Sequence, residues 1–173
     1  MRLFIIGYMG CGKSRWGKMI ASHYGLHFID LDRHIEEREG MTIPEIFAEF
    51  KEEGFREKEC AALQSISNYE DVIVATGGGA PCFKNNMQIM NKLGETLYIE
   101  GTPELLRERI ASSKTERPLV KNLSHEELLV YIQNHLESRK AFYEQAKHKI
   151  ISGDLKLDDF ILLLDAVIDS SNC

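Results

Sequence analysis

The stretch Gly7-Tyr8-Met9-Gly10-Cys11-Gly12-Lys13-Ser14 constrains this chain more than any other, because it fits the pattern G-x-x-x-x-G-K-[ST] at every fixed position. It follows the apolar run Leu3-Phe4-Ile5-Ile6 and leads into a helical pattern, so its context is strand, loop, helix. Glycines let successive backbone N–H groups turn inward around a β-phosphate, and the following helix adds the positive end of its dipole. In such a nest Gly10, Cys11 and Gly12 line the loop, Lys13 reaches the β- and γ-phosphates, and Ser14 ligates Mg²⁺. The chain therefore reads as binding a nucleoside triphosphate such as ATP. What it does with that nucleotide rests on other residues.

The apolar residues before the loop show no alternation, as in a parallel strand covered on both faces. Trp16, Met19, Ile20 and Tyr24 then recur on one helical face, and Gly25 closes the helix. A second strand over about residues 26–31 follows. Strands and helices that alternate to the end of the chain imply right-handed crossovers and an α/β fold with a parallel sheet. Asp30 and Asp32 stand at the carboxyl end of the second strand, the edge where open α/β sheets bind ligands. One intervening residue of extended chain puts both carboxylates on one side. One suits Mg²⁺ held through water, and the other can orient or deprotonate a substrate hydroxyl. Asp32 reads equally as the N-cap of a helix beginning near Arg33.

Thr42-Ile43-Pro44-Glu45 is a capping box that starts a helix with Ile43, Ile46, Phe47 and Phe50 on its apolar face. Gly54 interrupts that pattern before Phe55-Arg56-Glu57-Lys58-Glu59 opens another helix, in which Arg56 and Glu59 read as a surface ion pair. The third strand, Val72-Ile73-Val74-Ala75, runs into Thr76-Gly77-Gly78-Gly79-Ala80-Pro81. Three successive glycines let a ligand approach the backbone and meet its N–H groups, the alternative being a plain flexible turn. No acidic residue closes this strand, so Asp30 is the better magnesium candidate, with Glu100 after the fourth strand, Thr96-Leu97-Tyr98-Ile99, in reserve.

Thr102-Pro103 caps a helix containing Leu105, Leu106, Arg107, Arg109 and Ile110. The polar segment that follows, Ser112 to Pro118, is too hydrophilic for a core and has the character of a lid over phosphates. Pro118 holds Arg117 extended, which presents its guanidinium to transferring phosphate oxygens unless the segment is simply a solvated loop. Ser124-His125-Glu126-Glu127 is a second capping box, opening a helix with the stripe Leu129, Ile132, Leu136, Tyr143. Arg139 falls on that stripe, where a guanidinium needs an anionic partner. A short strand near Lys149-Ile150-Ile151 and a helix over about residues 158–168 complete the pattern.

Composition narrows the class. With 173 residues, 43% hydrophobic and 28% charged, the chain reads as one ordinary globular domain. No apolar run approaches the roughly 20 residues of a membrane helix, and no signal-peptide pattern precedes the first strand, so a cytoplasmic location is expected. A net charge of −6 argues against nucleic acid, whose phosphates select clustered Lys and Arg. Cys11, Cys60, Cys82 and Cys173 have neither disulfide nor zinc spacing, and Cys11 reads as a small filler of the loop, with a reactive thiol as the alternative. The histidines form no metal spacing. Asn91-Lys92-Leu93-Gly94 lacks the final aspartate of a guanine-specific N-K-x-D motif, which disfavours a GTPase switch.

The order and spacing of the phosphate loop, Asp30-Leu31-Asp32, Phe55-Arg56-Glu57-Lys58-Glu59, Gly77-Gly78-Gly79 and Arg117-Pro118-Leu119 resemble those of the shikimate kinases over nearly the whole chain. The resemblance implies a nucleoside-monophosphate-kinase-like fold: three α/β/α layers around a five-stranded parallel sheet in the order 2-3-1-4-5. It implies one kinase domain with a phosphate loop at 7–14, a substrate-binding helical region at about 32–60 and a lid at about 112–123. It further implies transfer of the ATP γ-phosphoryl group to the 3-hydroxyl of shikimate by a monomeric enzyme. On the same basis Ser14 and Asp30 belong to the magnesium site, and Asp32 binds the substrate hydroxyl and acts as base. Arg56 and Arg139 bind the shikimate carboxylate, and Gly77, Gly78 and Gly79 lie against the substrate. Arg117 is the lid arginine at the phosphates, and Arg107 and Arg109 compete for the adenine, Arg109 fitting better by its spacing from Arg117. Among other kinases of that fold, a gluconate kinase fits the triple glycine and the Arg56 and Arg139 pair less well.

Overall fold

A computed structural model describes residues 1–113, 120 and 122–171. Five strands, β1 (Arg2–Ile6), β2 (His27–Asp30), β3 (Val72–Ala75), β4 (Glu95–Glu100) and β5 (His148–Ile151), form one sheet in the order β2-β3-β1-β4-β5. Every pairing is parallel. The helices are α1 (Lys13–Tyr24), α2 (Leu31–Glu39), α3 (Ile43–Ser65), α4 (Asn86–Leu93), α5 (Pro103–Ala111), α6 (His125–Tyr143) and α7 (Leu157–Ser171). Both the layers and the strand order are those expected. Among the described residues no helix is long and apolar enough to cross a membrane.

The unbroken apolar runs of the strands are explained by two cores, one on each face. Leu3, Ile5, Ile73, Leu97 and Ile99 point to the layer holding Trp16, Ile20, Ile132, Phe160 and Leu164. Phe4, Ile6, Val72, Val74 and Tyr98 point to the other, with Leu31, Ile35, Ile46, Leu63, Met90 and Tyr143. Alternation along each strand therefore exists but is silent, because both sides are oil. On the first face α7 packs against α1 through Trp16 and Phe160, whose ring centres lie 4.7 Å apart.

The caps of α3, α5 and α6 follow the sequence. The Thr42 and Ser124 side chains accept from the Glu45 and Glu127 amides in reciprocal capping boxes, and Thr102 accepts from Leu105. The break expected at Gly54 falls earlier. Residues 43–65 form one helix kinked at Lys51, whose φ of 59° and ψ of −172° are not helical. Gly54 permits the kink, since a Cβ there would lie 2.4 Å from Phe50 Cβ. Gly54→Ala is therefore expected to destabilise the protein by about 1–3 kcal/mol, as overpacking does. A denaturant midpoint equal to that of the wild type would show that the kink relaxes at no cost.

Candidate active site

The carboxyl ends of β1, β2 and β3 meet in one cleft of about 540 Å³, lined by the phosphate loop, Asp30, Asp32, Thr76, Gly77, Gly78 and Arg109. Its floor is the turn from β1 into α1. Gly12, at φ 98°, occupies the left-handed region just before the first residue of α1, which leaves the early amides of that helix facing the cleft. The Lys13 ammonium is buried and donates to the carbonyls of Gly7 at 2.8 Å and Tyr8 at 3.0 Å. Cys11 is fully buried, and a Cβ on Gly7 would lie 2.9 Å from its sulfur, so its side chain packs the loop from behind as a filler does.

The two aspartates arrive differently from the sequence expectation. Strand β2 ends at Asp30 and α2 begins at Leu31, so Asp32 lies in the first helical turn rather than beside Asp30 on an extended chain. Nor does Asp32 cap α2. The N-cap residue is Asp30, and its carboxylate, instead of capping the helix, accepts from Ser14 Oγ at 2.8 Å. Both side chains still face the cleft, because the helix turns Asp32 back over the strand end. Burial raises the pKa of Asp32; repulsion from Asp30 and Glu36 adds to the rise, and Lys13 and Arg56 oppose it.

The glycine run is the hinge of the arrangement. A Cβ on Gly77 would lie 2.9 Å from Asp32 Oδ1, one on Gly79 would lie 3.0 Å from Arg56 Nη2, and one on Gly78 would lie 3.8 Å from Arg139 Nη1. The same Gly78 Cβ would be 3.3 Å from the Met9 amide, so this loop touches the phosphate loop directly. Bare backbone thus sits among one carboxylate and two guanidinium groups, with room for a ligand only because no side chain fills it.

Arg56 and Glu59 are not the surface pair that their spacing suggested. Glu59 Oε2 accepts from Arg56 Nη1 at 2.9 Å, and their side chains are only 1% and 13% exposed respectively. Burial raises the Glu59 pKa, opposed by the charge and hydrogen bond of Arg56. The guanidinium is also stacked 3.6 Å from the Phe83 ring centre, so its plane is set from two sides. Among the described residues Arg139 faces Tyr143, Cys82 and Tyr8 rather than a carboxylate. Its guanidinium carbon lies 5.6 Å from the Tyr8 ring centre, joining α6 to the phosphate loop. Sequence reasoning missed Phe83, the burial of Glu59 and the hydroxyl of Tyr143, which donates to the Gly78 carbonyl at 2.6 Å. The available signal for Tyr143 was its position four residues after Arg139 on the same stripe.

The two arginines competing for one role take different positions. Arg109 lines the cleft and donates to Ser152 Oγ at 2.7 Å and to the Gly153 carbonyl at 3.5 Å, in the loop between β5 and α7. Arg107 is not among the cleft residues. Glu100, the reserve magnesium candidate, pairs with Lys149 at 2.7 Å. Arg117 and most of the lid segment lie outside the described residues, as does Cys173; Cys11, Cys60 and Cys82 are free thiols. Among the described residues no group of three or more His, Cys, Asp and Glu gathers as a metal site.

Comparison with known proteins gives this cleft its family. The family profile described as shikimate kinase matches residues 9–165. The shikimate kinase of Phocaeicola vulgatus is 45% identical over 155 residues, covering 90% of this chain and 89% of that protein. That of Parabacteroides distasonis is 47% identical over 145 residues and 84% of each chain. Among solved structures, the shikimate kinase of Bacteroides thetaiotaomicron superposes with a TM-score of 0.90 at 37% identity over 98% of both chains. The Acinetobacter baumannii shikimate kinase in complex with shikimate gives 0.82 at 30% identity, over 98% of this chain and 93% of that one. With the sheet order, the phosphate loop and the glycine run in agreement with this match along almost its entire length, the chain belongs to the shikimate kinase family.

Proposed function

We propose residue roles for the reaction of this family, in which the γ-phosphoryl group of ATP passes to the 3-hydroxyl of shikimate to give shikimate 3-phosphate and ADP. The chain is an ATP-dependent small-molecule kinase, and its reaction belongs to the route to chorismate and the aromatic amino acids. Amides of Gly10, Cys11 and Gly12 hold the β-phosphate, and Lys13 neutralises charge between the β- and γ-phosphates. Arg109 packs on the adenine, and Arg117 approaches the phosphates from the lid at residues 112–123.

Ser14 Oγ and Asp30 Oδ2 are hard oxygen donors 2.8 Å apart beside the loop, the type of set that suits Mg²⁺ completed by water and phosphate oxygens. When bound, Mg²⁺ supplies positive charge to the phosphate oxygens during transfer. Asp32 orients the 3-hydroxyl and accepts its proton, and the raised pKa of its carboxyl brings it nearer to that task. Arg56 and Arg139 hold the substrate carboxylate, with Gly77, Gly78 and Gly79 beneath the ring. The enzyme is read as a monomer acting in the cytoplasm.

One observation carries the assignment: Asp32, Arg139 and Arg56 surround three consecutive side-chain-free residues in contact with the phosphate loop. Purified protein with MgATP is expected to release ADP on addition of shikimate, and not with gluconate or nucleoside monophosphates. Release with one of those acceptors instead would keep the nucleotide site and remove the substrate assignment. Nucleotide binding with no release for any acceptor would favour a binding module.

A further inference from the structure

We infer that Tyr143 is a positioning residue whose single hydroxyl fixes the glycine run beside the carboxylate-binding arginine, so that both substrate contacts are aimed together. The inference rests on the roles proposed above for Gly78, Gly79 and Arg139. Tyr143 ends α6, is fully buried, and stacks on Tyr98 with ring centres 5.1 Å apart. Its ring is therefore core. Its hydroxyl has a different task, donating to the Gly78 carbonyl at 2.6 Å beside the Arg139 guanidinium.

The backbone around it shows why that bond matters. The Gly77 carbonyl accepts from the Ala80 amide at 3.1 Å, and the Gly79 carbonyl accepts from the Cys82 amide at 2.9 Å. The Ala80 carbonyl accepts from Asn86 Nδ2 at 2.9 Å, a side chain six residues along the same segment. The Gly78 carbonyl is instead held by a residue 65 positions downstream. Because the peptide is planar and trans, fixing the Gly78 carbonyl fixes the Gly79 N–H in the opposite direction. Glycines have no side chain to set that plane, so the phenol sets it.

The positive charge of Arg139 beside the phenol polarises its O–H and strengthens the bond onward to Gly78. Burial keeps the phenol protonated well above its ordinary range, so the donor persists at physiological pH. A carboxylate drawn onto Arg139 offsets that charge and is thereby sensed at the Gly79 amide.

The test compares Tyr143→Phe, which keeps the ring stack, with Arg139→Ala in steady-state assays. Tyr143→Phe is expected to raise the shikimate KM up to about tenfold, as loss of one buried hydrogen bond does, with kcat changed less than twofold and the ATP KM unchanged. A purely structural hydroxyl would lower the melting temperature without that selective shift. If Arg139→Ala raises the shikimate KM and Tyr143→Phe leaves it unchanged, the inference falls and the substrate assignment stands; if neither variant changes it, both fall. Should Tyr143→Phe not fold, the wild-type enzyme decides by NMR. The Tyr143 hydroxyl proton is expected as a slowly exchanging resonance that moves on saturation with shikimate, and one that stays in place overturns the inference.

Discussion

Asp32→Asn is expected to lower kcat by about two to four orders of magnitude while leaving the shikimate dissociation constant within about threefold, since proton acceptance by a positioned group contributes about that much. Asparagine keeps the size and hydrogen-bonding capacity of the side chain but cannot take the hydroxyl proton. Near-normal turnover in a single-turnover assay would remove Asp32 from the base role and leave it as a positioning group. The pH dependence follows from its environment. Burial and then the neighbouring Asp30 carboxylate raise the Asp32 pKa, so kcat is expected to fall on the acid side at a pH above the ordinary carboxylate value. Stability moves the other way. A carboxyl whose folded pKa exceeds its unfolded value binds more protons when folded, so its ionisation costs stability as the pH rises through that window. Asp32→Asn is therefore expected to melt no lower than the wild type at neutral pH, with any gain vanishing as the pH falls through the raised value.

Arg139→Ala is expected to raise the shikimate KM by about 10- to 100-fold, from the loss of charge-assisted hydrogen bonds, with the ATP KM nearly unchanged. Arg139 meets Tyr143, Cys82 and Tyr8, so among the described residues its removal leaves no carboxylate stranded and the loss falls on the ligand. Arg56 differs, since removing it would leave Glu59 buried and unpaired and unfold the local helix as well as weaken binding. Arg139 is thus the cleaner probe. A shikimate KM within twofold of the wild type would place the carboxylate elsewhere.

Much of the fold was legible because its signals are local. The phosphate loop sits between an apolar run and a capped helix, and the boxes at Thr42 and Ser124 are stated in four residues each. Helix α4 escaped notice because it is short and Asn85, its N-cap, makes no side-chain cap bond. The position of Asp32 was hidden because the usual sign of a helix start is a side chain spent on capping, and Asp30 spends its carboxylate on Ser14 instead. Similarly, the spacing of Arg56 and Glu59 gives their separation along a helix but not their depth, which depends on how α3 lies against the sheet. Tyr143 was read as core because its ring is core; only the three-dimensional approach of Gly78 gives its oxygen a function.

The contact between Gly78 and the phosphate loop, 3.3 Å from a glycine Cβ position to the Met9 amide, also bears on inhibition. With the roles proposed above, the donor and acceptor groups adjoin within one cleft, where the two backbone segments meet. A compound joining a cyclic carboxylate to a phosphate mimic needs a bridge of only a few atoms to occupy both. Such a short bridge confines the second group near its pocket once the first is seated, so the two weak affinities combine at a high effective concentration.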